Sequence, residues 1–79
     1  MSTLDAQIIQ AIAEQLALSP EDVDRGALLR EELNLGPIEL NDLLSNLSQK
    51  FNVSFEPDDI EHLNKVEDLI VLIEDNLLD

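Results

Sequence analysis

Residues 33–51, LNLGPIELNDLLSNLSQKF, constrain this chain more than any other stretch. Ile38, Leu40, Leu43, Leu44, Leu47 and Phe51 recur at intervals of three and four, which places them on one side of an amphipathic helix. Proline lacks the amide proton that a first helical turn leaves unused, and its fixed φ suits that turn, so the helix opens at Pro37. The outward side begins acidic, with Glu39 and Asp42, and ends neutral to basic, with Ser45, Asn46, Ser48, Gln49 and Lys50. That order suits the helix dipole. An apolar stripe of this length must be covered by other apolar faces, so the rest of the chain is read for them.

Leu4, Ile8, Ile9, Ile12, Ala13 and Leu16 form one such face on a helix from about Thr3 to Leu18, with Ser2 or Thr3 as cap and Asp5 in the first turn. Ser19 and Pro20, followed by Glu21 and Asp22, read as a capped helical turn that stops near Gly26. Ala27 to Leu35 carries Leu28, Leu29, Leu33 and Leu35 without a clean period, which predicts a loop pinned to the core, with a helical turn at Leu29 to Leu33. After the central helix, Asn52 to Phe55 is an extended link whose Val53 or Phe55 seals one end of the core. Pro57 opens a brief helix ending near Leu63. Asn64 with Glu67 three residues on is a cap-plus-acid signature, and Val66, Leu69, Ile70, Ile73 and Leu77 supply the buried face of a last helix. Val71, Leu72 and Leu78 fall off that stripe; they read as deep packing or as a contact face. The expected fold is all-α, a four-helix bundle of three long helices and one short one with a long first loop, in a single domain spanning 1–79.

Eighteen acids against four bases give a net charge of −14. Such a chain is repelled by nucleic acid and by anionic membranes, and a basic protein surface is the partner it fits. With no cysteine, thiolate chemistry is excluded. The opening MSTLDAQIIQ has no basic region followed by an apolar run, and no apolar stretch approaches the roughly 18 residues of a membrane span. Neither signal peptide nor membrane insertion is expected, and the cytoplasm is the expected compartment.

Taken together, the helix, the pinned loop, the acidic central helix with Phe51 near its end, the proline-led short helix and the last helix resemble the acyl carrier protein family over essentially the whole chain. The alignment runs without a gap, through Glu14-Gln15-Leu16, Glu32-Leu33 and Phe51 to Val66 and Ile73. The resemblance implies an acyl-carrier-like four-helix fold, no enzymatic activity of its own, and docking on basic patches of partner enzymes. The family's specific motif is a Gly-x-Asp-Ser-Leu run whose serine takes a phosphopantetheine arm; laid on it, this chain reads Asn34-Leu35-Gly36-Pro37-Ile38. Pro37 falls at the serine and Gly36 at the preceding aspartate. Proline has no hydroxyl, so the expectation at this stage is a chain with no phosphopantetheine and no other cofactor. It would serve as a binding or regulatory module on an enzyme of fatty-acid or thiotemplate metabolism, as a monomer. Ile38, Glu39 and Asp42 match the family's docking residues, although the two acids also read as a solvated face at a positive dipole end.

Two alternatives stand beside that reading. One is a working carrier modified at a non-standard serine, Ser45 or Ser48; the other is an interaction protein unrelated to acyl metabolism that retains only the fold. No metal site is expected. Asp22, Asp24 and Gly26 suggest a calcium loop only faintly, since the glycine is misplaced and Leu33 stands where the closing glutamate belongs. His62 has no second histidine or cysteine to share a transition metal, and no nucleophile elbow or phosphate loop is present.

Overall fold

The computed structural model describes residues 3–78, without the side chain of Leu78. Helix α1 spans Leu4–Leu16, α2 Pro37–Phe51, α3 Pro57–Glu61 and α4 Val66–Leu78, and a single 3-10 turn covers Pro20–Asp22. The all-α expectation holds: the described residues contain no strand and only one isolated bridge, Leu28 with Lys65.

Each boundary has a local cause. Thr3 caps α1, its Oγ1 accepting from the Ala6 amide at 3.3 Å; Ser2, the alternative cap, lies outside the described residues. The helix ends at Leu16, two residues before Leu18, because Ala17 turns left-handed, φ 59°, and the Leu18 amide folds back to the Ala13 carbonyl at 2.8 Å. Asn52, φ 57°, ends α2 in the same way. Pro37 and Pro57 stand in the first turns of α2 and α3. At the start of α4 the capping acid differs from the expected one. Asp68, not Glu67, accepts from the amides of Asn64 and Lys65, both at 3.0 Å, because α4 begins at Val66 and Asp68 is its third residue; Glu67 lies 3.7 Å from Arg25.

The buried side chains form one cluster. Ile8 and Ile12 of α1, Leu43 and Leu47 of α2, and Val66, Leu69, Ile70 and Ile73 of α4 meet at its centre, with Leu29 and Leu35 plugged in from the first loop. Two residues assigned to apolar stripes lie outside it. Ile38 is 74% exposed and Leu77 41%. Ile38 is two positions before Leu40, so the helical turn rotates it about 200° from that buried residue; Leu77 lies in the last turn of α4.

The long loop is stitched rather than loose. Leu29 donates to the Asn64 carbonyl at 2.8 Å, Val66 to Ala27 at 3.0 Å and Glu67 to Arg25 at 2.8 Å. Arg30 Nη1 donates to the Leu63 carbonyl at 2.9 Å, and Arg25 Nη1 pairs with Asp5 at 2.7 Å. These bonds tie the loop to α1 and to the α3–α4 link, and so hold the start of α2 in place.

Candidate functional site

The start of α2 is pushed outward by its flanks. Leu35 and Leu40 are both buried, so the four residues between them must bridge two core anchors over the surface. Gly36 is the cap residue, in extended conformation, and has no side chain with which to cap. Its carbonyl accepts the Leu40 amide at 2.9 Å. The Glu39 side chain bends back over it: a Cβ placed on Gly36 would stand 3.0 Å from Glu39 Oε1 and 3.3 Å from Oε2. A carboxylate is thereby held over the positive end of the helix. Asp42 follows, exposed, one turn beyond Ile38. The three residues singled out in the sequence, Ile38, Glu39 and Asp42, therefore share one exposed surface, with an uncovered isoleucine beside two carboxylates.

No hydroxyl exists among residues 34–40, so the helix start itself does not fit a phosphate ester. Within α2, Ser48 Oγ donates to the Val53 carbonyl at 2.5 Å and closes the helix end. Ser45 is exposed, on a shallow groove shared with Asn41, Gln49, Phe55 and Ile60. A neighbouring cleft of about 210 Å³ between α2 and α3 is lined by Arg30, Pro37, Leu40, Asn41, Leu44 and Ile60.

Other candidates resolve into local structure. Asp24 Oδ1 accepts the Gly26 amide at 3.0 Å, a turn that accounts for the calcium-like spacing. His62 is exposed and its Nδ1 donates to the Asp58 carbonyl at 2.7 Å. Among the described residues no three His, Cys, Asp or Glu side chains are grouped to hold a metal. The hydrogen bond from Arg25 lowers the Asp5 carboxyl below its usual range, with help from Thr3. Asp68 is lowered by the two amides it accepts, Lys65 first and then Asn64. Sequence reasoning does not single out Arg25, Arg30 or Asp68 as positioning residues; the only signal for the two arginines is scarcity, since bases are few and each bridges two segments, and Asp68 is one acid among eighteen.

The exposed feature of this small helical bundle is thus an acidic, partly apolar helix start. The family model for the phosphopantetheine attachment site matches residues 6–73. A curated acyl carrier protein of Chlamydia trachomatis serovar L2 is 34% identical over 74 residues, 94% of this chain and 96% of the relative. Those of Nitratidesulfovibrio vulgaris and Buchnera aphidicola are 28% and 26% identical, over 90% and 92% of this chain and 93% and 94% of theirs. The chain belongs to the acyl carrier protein family, a family of carriers and not of enzymes.

This membership corrects one expectation. A chain without phosphopantetheine does not agree with a match to the attachment-site family over nearly its whole length, or with relatives that are acyl carrier proteins: the group is what the family normally carries. The lack of a hydroxyl at Pro37 speaks only for the helix start, and Ser45 and Ser48 of the same helix still carry hydroxyls.

Proposed function

We propose that residues 1–79 form one acyl-carrier domain that acts by docking, presenting Ile38, Glu39 and Asp42 to a basic surface on a cytoplasmic enzyme of acyl or thiotemplate metabolism, fatty-acid synthesis being the nearest setting. The observation that carries this reading is the exposure of Ile38, 74%, beside Glu39 and Asp42, while the other large apolar residues of α2 are buried or half-buried. An uncovered isoleucine flanked by carboxylates supplies contact area and steering charge at one place. With a net charge of −14, a second copy is repelled, and the domain works as a monomer.

The register of Pro37 on the family's serine is part of the proposal. Its support is Asn34, which falls on the motif's glycine and has φ 58°, a left-handed conformation that glycine and asparagine tolerate best. A second reading is favoured by Ser45, which offers an exposed hydroxyl on α2 for the family's arm.

One reagent tests both. Binding to a broad-specificity phosphopantetheinyl transferase is measured by calorimetry across a salt series. Glu39→Lys with Asp42→Lys should weaken it about tenfold and flatten its salt dependence; unchanged binding removes the docking reading. Intact mass after incubation with coenzyme A, beside a conventional carrier, reads the arm. A gain abolished by Ser45→Ala establishes the second reading, and a control that gains mass while this chain does not excludes it.

A further inference from the structure

The groove between α3 and α4 lies on the other side of α3 from the clefts beside α2, and no role has been given to it. It has a volume of about 420 Å³ and an apolar floor of Leu63, Val71 and Leu72. It stays open because α3 is five residues long and α4 thirteen. At 1.5 Å per residue that is about 7.5 Å of helix against about 20 Å, so α3 cannot cover its neighbour. Val71 is left 45% exposed.

The charges around that floor are ordered. Glu67, Val71 and Asp75 follow one another at intervals of four along α4, as do Asp68 and Leu72 beside them, which gives an acidic, apolar, acidic sequence along one face. Asp59 stands on the opposite wall. The acids at the start of α4 are already engaged: Glu67 lies 3.7 Å from Arg25, and Asp68 accepts two loop amides. Asp59 accepts only a backbone amide, from Glu56. Among the described residues neither Asp59 nor Asp75 has a basic partner.

We propose that this groove is a second docking surface, and that its occupant is a cationic amphipathic helix of another protein. An apolar side chain of that helix would sit on Val71 and Leu72, with a lysine or arginine one turn on meeting Asp75 and another meeting Asp59 on the opposite wall. Charge selects this occupant. A second copy of the chain or an anionic lipid surface would bring like charge to the rim, whereas a neutral apolar segment would cover the floor and leave the two carboxylates unanswered.

The test uses a synthetic 18-residue helix-forming peptide with leucines along one face flanked by lysines, titrated into isotopically labelled protein and followed by amide chemical shifts. Saturable shifts centred on Leu63, Val71 and Leu72 are expected, with Val71→Ser and Asp75→Asn each weakening binding about fivefold or more. Glu39→Lys with Asp42→Lys should leave this affinity within about twofold, which separates the groove from the docking reading of α2. Shifts centred on α2 or spread evenly over the acidic surface, absence of saturation, or full affinity in folded Asp75→Asn would each overturn the proposal. The amide spectra of the free variants establish that they are folded.

Discussion

Removal of the Asp68 carboxylate tests how the start of α4 is held. Asp68 accepts from the amides of Asn64 and Lys65, both at 3.0 Å, and Asn64 is also the residue whose carbonyl takes the Leu29 amide of the long loop at 2.8 Å. Loss of the carboxylate leaves two amides at a helix start to water and loosens the loop seam behind them. By analogy with side-chain caps, Asp68→Ala should cost about 1–2 kcal/mol, and Asp68→Asn, which keeps one acceptor, about half as much. A chain of this size has about 4–12 kcal/mol in total, and for such domains each kcal/mol lowers Tm by about 4–8 °C. Removing one of eighteen acids also relieves repulsion, so Asp75→Asn, which has no local bond to lose, supplies the charge-only baseline. The pH dependence has a definite sign. The two amides lower the folded carboxyl below the usual carboxylate range, so its stabilisation is complete above the unfolded pKa and disappears as pH falls through the folded one. Urea melts at pH 7 and below pH 3 should therefore show a gap between Asp68→Ala and the Asp75→Asn baseline that closes in acid. A variant as stable as that baseline at pH 7, or a gap that persists in acid, would refute this account of the cap.

Three further outcomes follow from the same coordinates. Leu69→Ala, at a fully buried site in α4, should cost about 2–5 kcal/mol in a urea melt; a loss under about 1 kcal/mol would mean the core is not packed as described. Ala17→Gly should stabilise by about 0.5–1 kcal/mol, because the left-handed conformation at φ 59° burdens the alanine Cβ and not glycine. Thermal melts should rise as sodium chloride or magnesium is added, since −14 charges on 79 residues repel one another; a flat series would show that the charges are already compensated by their placement.

Much of this protein was legible in the residues. Pro37 and Phe51 bound α2 as read, since proline placement and apolar period are local signals that do not depend on the rest of the fold. The same holds for Thr3, Pro57 and the stripe from Val66 to Ile73. Ile38, Glu39 and Asp42 were visible as an acidic helix start, and their proximity in space is a consequence of helical spacing alone.

Tertiary structure decided the rest, because it depends on which residue reaches a partner first. Period alone put Ile38 and Leu77 in the core, yet burial requires something to pack against, and among the described residues too little does so at either position. Spacing favoured Glu67 as the capping acid of α4; the loop bonds that hold Leu29 to Asn64 and Val66 to Ala27 set the helix start at Val66, which gives the capping position to Asp68 and leaves Glu67 beside Arg25. The short α3 was read from Pro57, but only its position beside α4 shows that it leaves Val71 half-exposed near Asp59 and Asp75, which have no basic partner among the described residues. Local chemistry sets where helices start and stop; competition among distant side chains for few cations and one core sets which faces remain for a partner.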